Sequence, residues 1–273
     1  LREGAAIVVG TPGRTLDHIN RGTLAAGDIS SVVLDEGDHM LDMGFRDELE
    51  GILDELPARE RTWLFSATMP REVRELSKKY LRDPVYISLV EDGEQHEDIV
   101  HRAYLVPSRK KVEGLVNVLL WERPHRGLIF CHTRLETMSV AQSLSGEGFN
   151  AGALHGEMTQ RERNAVLSSF KSGRLPLLVA TNVAARGLDV EGVSHVIQLG
   201  LPDDRDTFVH RSGRTGRAGQ EGVNILILSP QEGEKFKFML GSAKVSVEWK
   251  NVPSLDEIGK AQREIAEEKL LTV

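Results

Sequence analysis

The 273-residue chain contains one cysteine, Cys131, so it cannot form a disulfide bond within itself. It also has no long apolar run: a typical one, residues 225–228, falls far short of the ~18 residues that a membrane-spanning helix needs. No positively charged start followed by a hydrophobic segment resembles a signal peptide. These absences predict a cytoplasmic protein that makes no contact with a membrane.

Basic residues are fewer than acidic ones: the chain has 34 Lys and Arg and 41 Asp and Glu, which give a formal net charge of −7. This acidic balance argues against a protein that coats nucleic acid without specificity. Most of the excess, −5, lies in residues 1–90, whereas residues 91–240 and 241–273 carry −1 each. Nucleic-acid binding by residues 91–240 therefore stays open, since their cations are concentrated in a few motifs.

Short apolar runs rich in β-branched residues alternate with segments of helical period from residue 5 to about residue 240. Runs of this kind predict strands buried on both faces of a parallel sheet, joined by crossover helices, and hence a doubly wound α/β fold. The predicted strands are residues 5–9, 31–34, 61–65, 85–89, 100–106, 127–131, 150–154, 177–180, 195–199 and 222–228. The predicted helices include residues 70–81, 110–121, 135–147, 160–170 and 204–211.

An acidic segment, EDGEQHED at residues 91–98, interrupts this pattern with five acidic residues and no apolar one. It is either a solvated loop or a linker, and we favour a linker because a complete α/β pattern restarts directly after it. The prediction is a first domain over residues 1–90, a linker over 91–99, a second domain over 100–240 and a C-terminal extension over 241–273. A helix predicted over residues 255–270 of the extension either docks on the second domain or mediates a homodimer.

The acidic motif Asp35-Glu36-Gly37-Asp38 follows the predicted strand 31–34 directly. Ligands of parallel α/β sheets bind at the carboxyl ends of the strands, which is where these carboxylates would lie. An aspartate there can hold Mg²⁺ through water, and the adjacent glutamate can orient and deprotonate an attacking water. A plain acidic turn at a strand end is the alternative.

The motif HRSGRTGR, residues 210–217, concentrates cations and glycines in a short segment. Guanidinium forks match phosphate oxygens in two-pronged geometry, and the glycines allow a ligand to approach the backbone closely. A solvated basic face explains this combination less well than phosphate binding does.

Taken together, these motifs resemble those of the DEAD-box RNA helicases of superfamily 2, bacterial type. DEGD looks like the box that names the family, and its companions follow in the family's order along residues 11–217. They are TPGR at 11–14, SAT at 66–68, LIFCHT at 128–133, Gln160 with Arg163, ATNVAARGLD at 180–189 and HRSGRTGR at 210–217. TPGR predicts a Pro-Gly turn after a strand, and SAT offers two hydroxyls within reach of DEGD across neighbouring strand ends. Gln160 and Arg163 lie one turn apart on a helix that a capping box of Thr159 and Glu162 would start, so both side chains can face one RNA groove. The resemblance implies two RecA-like domains and an RNA-dependent ATPase that uses ATP and Mg²⁺.

The resemblance also implies a role for individual residues. Catalytic roles fall on Asp35 (which would hold Mg²⁺ through water), Glu36, Asp38, Ser66, Thr68, Arg214 and Arg217. Nucleotide binding falls on Gly187, Asp189 and again on Arg214 and Arg217, the arginine fingers supplied from the second domain. RNA binding falls on Thr11, Pro12, Gly13, Arg14, Thr133, His155, Gly156, Gln160, Arg163, Thr181 and Arg186. His210 and Arg211 would couple these sites, and RNA would be read through its backbone with weak sequence preference.

Four features depart from the family's pattern. Gly37 stands where alanine is usual, Asn182 where aspartate is common and Ser212 where an aliphatic residue is usual, and we expect modest effects from each. The fourth departure is severe, because the phosphate loop G-x-x-x-x-G-K-[ST] does not occur in the sequence. We therefore expect the first domain to lack its N-terminal part and the chain alone to be inactive.

Three hypotheses follow from this sequence. The chain is a segment of an RNA helicase that couples ATP hydrolysis to local duplex unwinding or to remodelling of RNA–protein complexes. Alternatively, it is a shortened protein that binds RNA without hydrolysing ATP. A related helicase acting on DNA fits DEGD and ATNVAARGLD less well.

Overall fold

The computed structural model describes residues 4–66, 68–88, 98–185, 190, 192–216, 221–241 and 245–271. Contacts divide the chain into two units, Leu1–Leu89 and Val90–Val273. Most of the segment predicted as a linker, residues 91–97, lies outside the described residues. Among the residues that are described, no helix combines the length and the apolar character needed to cross a bilayer.

Two short parallel strands organise the first unit. β1 (Ser31–Leu34) and β2 (Arg61–Leu64) pair with Ser31 opposite Arg61 and Leu34 opposite Leu64. Around them lie α1 (Pro12–Asn20), α2 (Gly37–Asp42), α3 (Arg46–Asp54) and α4 (Arg71–Tyr80). β1, α3 and α4 supply the buried residues of a small apolar core, which are Leu34, Leu49, Leu53, Leu76 and Tyr80.

Two apolar runs that were predicted as strands, residues 5–9 and 85–89, are not strands where the structure describes them. The side chains of Ile7 and Ile87 are 82% and 80% exposed. Within the described residues β1 and β2 pair with each other alone, so neither run has a neighbouring strand. A run of β-branched residues becomes a strand only where a neighbour offers backbone N–H and C=O groups, and here none does.

The second unit contains, among its described residues, a parallel sheet of seven strands in the order β5-β6-β4-β7-β8-β3-β9. The strands are β3 (Ile99–Leu105), β4 (Gly127–Cys131), β5 (Ala151–Leu154), β6 (Leu177–Thr181), β7 (His195–Leu199), β8 (Gly222–Leu228) and β9 (Val247–Asn251). The helices are α5 (Lys111–Glu122), α6 (Arg134–Gly146), α7 (Gln160–Lys171), α8 (Asn182–Ala185), α9 (Arg205–Ser212), α10 (Pro230–Leu240) and α11 (Leu255–Leu271). The predicted α/β class with parallel pairing is confirmed.

Apolar side chains cover both faces of this sheet, which explains why its strands are nearly continuous apolar runs. On one face, residues of α5 and α6 such as Leu115 and Leu144 pack against Ile129 and Ile197. On the other face, Phe170 of α7 packs with strand residues that include Leu178. Every residue of β4 is buried, as expected for a central strand between two helical layers.

The C-terminal extension belongs structurally to the second unit. β9 pairs in parallel with β3, and Trp249 of β9 stacks edge-on against Phe236 at a centroid distance of 6.3 Å. The Asn117 side chain donates a hydrogen bond of 2.9 Å to the Pro253 carbonyl, and α11 packs against α5. The extension therefore docks on its own unit, and the alternative of a homodimer through α11 finds no support here.

This docking predicts different roles for two apolar residues of α11. Ile258 is 4% exposed and Leu255 is 68% exposed. Replacing Ile258 with alanine should lower the free energy of unfolding of the second unit by about 2 kcal/mol, because a buried side chain loses its contacts. The matched change Leu255→Ala should lower it by less than about 0.5 kcal/mol. Chemical denaturation measures both, and equal effects of the two changes would contradict the docking.

Candidate functional site

The acidic motif of the first unit forms the turn between β1 and α2. Asp35 and Glu36 are exposed at the carboxyl end of β1, and the Glu36 N–H donates a hydrogen bond of 3.0 Å to Asp35 Oδ1. Glu36 adopts a left-handed backbone conformation with φ of 51°. This conformation is uncommon for a residue with a side chain, and Asp83 and Arg123 also adopt it. Two exposed carboxylates are thus adjacent at the strand end.

Asp38, the third acid of the motif, is buried and joins this turn to the segment after β2. Its N–H donates to Ser66 Oγ at 3.0 Å. Its carboxylate oxygen Oδ2 accepts hydrogen bonds from Thr68 N–H at 2.9 Å and from the Thr68 hydroxyl at 2.7 Å. The structure therefore brings the DEGD and SAT motifs together, because Asp38 donates to Ser66 and accepts from Thr68.

Gly37 allows this close approach of the two segments. Its N–H donates to the Phe65 carbonyl at 2.9 Å, and a Cβ atom at this position would lie 2.6 Å from Leu64 Cδ1. An alanine, which the resemblance would place here, requires the Leu64 side chain to shift. Such a movement of a flexible side chain is consistent with the modest effect expected for this departure.

The carboxylates of Asp35 and Glu36 suit a magnesium ion that keeps most of its water. Among the described residues, no group of three or more His, Cys, Asp or Glu side chains could hold a metal ion by itself. Mg²⁺ is commonly bound through one or two carboxylates together with water and substrate phosphates, so no such group is needed. The exposed Asp35 carboxylate therefore fits the contact through water that the sequence indicated.

The motif TPGR starts a helix, which corrects the predicted turn after a strand. Thr11 occupies the position before α1 without a capping hydrogen bond from its side chain, and Pro12 lies in the first turn and is buried. No strand precedes the helix in the described residues. Proline is favoured at this position because its missing N–H would have no partner within the helix. Gly13 follows in the first turn, and the exposed Arg14 forms an ion pair of 3.0 Å with Asp17.

Several predicted RNA-binding residues share the carboxyl edge of the second sheet. β5, β6 and β4 are neighbours, and Leu154, Ala180 and Phe130 lie in register. Loops after these strands therefore meet at one edge. Those loops or strand ends contain Thr133, His155, Gly156 and Thr181. An ion pair between Arg134 and Glu157 links two of the loops.

Gln160 and Arg163 begin α7 but differ in their partners. A capping box formed by Thr159 and Glu162 starts the helix, as the sequence indicated. The Gln160 side chain donates to Asn164 Oδ1 at 2.8 Å, whereas Arg163 donates to the Ala184 carbonyl at 2.5 Å. Arg163 is thus directed at the end of α8, and the prediction that both side chains face one RNA groove stays a prediction.

Arg211 is the most buried cation among residues 210–216, the part of the basic motif that the structure describes, with 3% of the residue exposed. Its Nε donates to Asn182 Oδ1 at 2.6 Å, and its guanidinium lies 5.4 Å from the centroid of the Phe130 ring. Burial lowers the pKa of Arg211 to about 10, against the opposing effect of nearby carboxylates that include Asp203. The contact with Asn182 joins the segments that the sequence assigned to nucleotide and RNA binding.

The rest of the basic motif continues directly from Arg211. His210 precedes it in the last turn of α9, and the half-buried Arg214 follows with its N–H donating to the Arg211 carbonyl at 3.1 Å. Gly216 has φ of +66°, and a Cβ there would lie 2.5 Å from Ile99 Cγ1, so glycine is required. Four other predicted site residues, Arg186, Gly187, Asp189 and Arg217, lie outside the described residues.

Sequence reasoning missed three buried polar residues that extend from Arg211 into the sheet. Gln198 Oε1 accepts a hydrogen bond from Arg211 at 3.4 Å and Gln198 Nε2 donates to Asn224 Oδ1 at 3.0 Å. The Asn224 amide lies 3.0 Å from His101 Nδ1. The available signal was a polar residue inside each of three mainly apolar strands, and it is clearest at Asn224, the one polar side chain of β8.

Burial of His101 predicts a pH-dependent stability. It lowers the pKa of His101 from 6.5 to about 4, below the value in the unfolded chain. The unfolded chain therefore binds the proton more tightly, and stability present above the unfolded pKa is lost as the pH falls toward 4. Between about pH 7 and pH 5 this group should reduce the free energy of unfolding of the second unit by about 2 kcal/mol. Denaturation of His101→Gln at pH 7 and pH 5 should lack this pH-dependent loss of about 2 kcal/mol. If His101→Gln shows the same pH dependence as the unaltered chain, His101 is not the group responsible.

Comparison with known proteins adds a family to this geometry. The model of the DEAD/DEAH box helicase family matches residues 1–76, and that of the helicase conserved C-terminal domain matches residues 110–219. The chain is 40% identical to the DEAD-box ATP-dependent RNA helicase CshA of Geobacillus kaustophilus, over the whole chain and 58% of that protein. The chain spans 51–58% of the length of such curated relatives.

Two solved structures resemble the described fold. Dbp5 of S. cerevisiae, bound to RNA and ADP BeF3, matches 96% of this chain and 69% of its own at 29% identity, with a TM-score of 0.80. The E. coli DEAD-box protein SrmB, bound to regulator of ribonuclease activity A, is 33% identical. That match covers 58% of this chain and 93% of the other, with a TM-score of 0.51.

Proposed function

The chain belongs to the DEAD-box RNA helicase family, and we propose that it carries the part of an ATP-dependent RNA helicase that couples ATP hydrolysis to local RNA unwinding or to remodelling of RNA–protein complexes. The observation that carries this proposal is the hydrogen bonding of Asp38 to both Ser66 and Thr68. It ties the carboxylate motif, which would act on ATP, to the segment that the family resemblance links to strand separation. The proposal includes two RecA-like domains and a cytoplasmic location.

Hydrolysis would depend on two neighbouring carboxylates of the first unit. Glu36 would accept a proton from water while the water oxygen forms a bond to the γ-phosphorus, and the bond to the ADP oxygen breaks. Asp35 would hold Mg²⁺ through water, and the ion would supply positive charge to the phosphate oxygens. The exposure of both carboxylates at the carboxyl end of β1 supports this assignment, because water and a nucleotide can reach them there.

The second unit would contribute contacts to the nucleotide and to RNA. Arg214 and Arg217 would bind phosphate oxygens, Gly187 would lie against the phosphates and Asp189 would bind the ribose. RNA would contact Thr133, His155, Gly156, Gln160, Thr181 and Arg186 of this unit and Thr11–Arg14 of the first. His210 and Arg211 would couple the nucleotide and RNA contacts. Arg163, directed at Ala184, would support α8 and reach RNA only by changing its partner.

The absence of G-x-x-x-x-G-K-[ST] from the sequence favours a second candidate function. Without the amides and lysine of that loop, nothing in these 273 residues would cradle the β- and γ-phosphates. In that case the chain would bind RNA through its second unit and hydrolyse nothing. ATP hydrolysis by the chain, measured with and without an N-terminal region taken from a curated relative, distinguishes the two functions.

RNA binding by the 273-residue chain tests the part that both functions share. We expect a fluorescent single-stranded RNA to bind with little dependence on base sequence and with an affinity that falls as salt rises. Arg14→Gln should lower the slope of log affinity against log salt by about 0.7, the value for one phosphate contact on a single strand. Arg21→Gln is the matched control, since Arg21 also pairs with Asp17 on α1. No detectable binding, or equal slopes for both variants, would contradict the assignment of Arg14.

A further inference from the structure

Three polar side chains lie inside the second sheet, where apolar residues would be expected. Gln198 of β7, Asn224 of β8 and His101 of β3 are each at most 5% exposed. His101 lies directly opposite Asn224, and Asn224 is diagonal to Gln198 on the next strand. Their polar atoms bond to one another, which offsets a desolvation penalty of about 1–3 kcal/mol for each unpaired group. The three form a continuous line across three strands.

The hydrogen bonds in this line have one direction. Arg211 can only donate, so the oxygen of Gln198 must face it and the Gln198 amide nitrogen must face Asn224 Oδ1. The Asn224 nitrogen then donates to His101 Nδ1, which fixes the histidine tautomer with its proton on Nε2. Each amide is thereby held in one of its two orientations, and successive bonds polarise one another.

The guanidinium at the start of this line is bound by amide oxygens. It donates to Asn182 Oδ1 and to Gln198 Oε1. One terminal nitrogen of Arg211 is buried with no hydrogen-bond partner in the described part of the chain. Neutral acceptors hold a cation less strongly than carboxylates do, so the orientation of Arg211 depends on where these two oxygens point.

Two functional segments depend on the position of Arg211. Asn182 is the first residue of α8, which leads into residues 186–189. On the other side, the Arg211 carbonyl accepts the Arg214 N–H and the Ser212 carbonyl accepts the Thr215 N–H, both at 3.1 Å. A change in the position of Arg211 would therefore displace both the segment that begins at Asn182 and the turn that contains Arg214.

We infer that Gln198, Asn224 and His101 are positioning residues, whose directed line of hydrogen bonds holds the Arg211 guanidinium against Asn182 and so keeps both segments in place for RNA binding. This inference rests on the proposed function for its consequence, but the line itself can be tested separately. None of the three touches a ligand in this assignment. Each acts through Arg211.

The test combines NMR of the Arg211 Nε–H group with RNA binding by the same samples of the 273-residue chain. Asn224→Leu keeps a similar side-chain volume but removes the amide oxygen and the amide nitrogen from the middle of the line. We expect the Nε–H proton to exchange with solvent at least ~10-fold faster, as the loss of about 1.4 kcal/mol of protection requires. Affinity for a labelled oligouridine of about ten nucleotides should fall by roughly 3- to 10-fold.

Three further variants separate positioning from general loss of stability. Ile225→Val makes a small cavity in the same strand and should leave the Arg211 proton and RNA affinity unchanged. His101→Leu removes the last acceptor of the line and should accelerate exchange of the Arg211 Nε–H proton. It also tests the line if Asn224→Leu does not fold. His101→Gln keeps an acceptor and should restore slow exchange.

Unchanged Arg211 exchange in both Asn224→Leu and His101→Leu would overturn the inference, as would equally fast exchange in Ile225→Val. Faster exchange without any loss of RNA affinity would also overturn it, because Arg211 would then be held for stability alone. If the unaltered chain binds no RNA, the proposed function fails, while the exchange rates still decide whether the line holds Arg211. The two failures are therefore distinguishable.

Discussion

Replacing Glu36 with glutamine is expected to lower RNA-stimulated ATP hydrolysis by at least about 100-fold, the usual contribution of a positioned general base. The experiment uses the chain extended at its N-terminus by the corresponding region of a curated relative, which supplies a phosphate loop. Glutamine has nearly the same shape as glutamate but cannot take a proton from the attacking water. The left-handed backbone at this position is equally strained for both residues, so the turn should be preserved.

The control for this change is Glu60→Gln, at an exposed position just before β2. It removes the same charge from the same unit, and its rate of ATP hydrolysis should equal that of the unaltered extended chain. Nucleotide affinity should also persist in Glu36→Gln, since the change affects the water and not the phosphate contacts. Undiminished turnover by Glu36→Gln would rule out the assigned role in water activation.

The sequence predicted strands correctly where they have neighbouring strands on both sides. β4, β7 and β8 lie in the middle of the sheet, and their predicted bounds agree with the observed ones. Residues 5–9 and 85–89 are also short, mainly apolar runs, but among the described residues they have no neighbouring strand. Residue type indicates which chain segments favour a sheet, whereas strand formation also depends on a partner that composition does not reveal.

The candidate site was predicted where its residues follow consecutive parallel strands. β1 and β2 are adjacent and in register, so the motifs after them had to meet, and Asp38 indeed binds Ser66 and Thr68. The line from Arg211 to His101 was not predicted, because Asn224 and His101 are 123 positions apart. Their contact depends on the strand order β7-β8-β3, which periodicity alone does not determine.

Helical spacing likewise predicted a shared face but not a shared partner. Gln160 and Arg163 begin the same helix three positions apart, as the sequence required. The long side chain of Arg163 nevertheless reaches the Ala184 carbonyl, since carbonyls in the last turn of a helix attract a cation. The direction of a long side chain is decided by the acceptors around it, which become known only with the tertiary structure.

Asp38→Asn is expected to reduce the free energy of opening of the β1–β2 segment by about 3 kcal/mol, because a buried carboxylate loses charge-assisted hydrogen bonds. Oδ1 of Asp38 accepts from His39 N–H at 2.9 Å, and Oδ2 accepts twice from Thr68. An asparagine has one oxygen, so its amide nitrogen must face either His39 N–H or the Thr68 donors. Amide hydrogen exchange at Gly37 and Phe65, whose N–H groups bond across the two segments, measures this opening. Asp28→Asn, at an exposed position, should change the exchange very little.

A double-mutant cycle with Thr68→Val then identifies the bond responsible. Thr68→Val removes the hydroxyl that donates to Asp38 Oδ2 at 2.7 Å and should by itself reduce the opening free energy by about 1.5 kcal/mol. If Asp38 and Thr68 act through this bond, the double variant should lose less than the sum of the two single effects, by about 1 kcal/mol. Strictly additive effects would mean that the Thr68 hydroxyl takes no part in holding Asp38. In that case the coupling between the two motifs would have to pass through the Thr68 backbone N–H, which donates to Asp38 Oδ2 at 2.9 Å, or through Ser66.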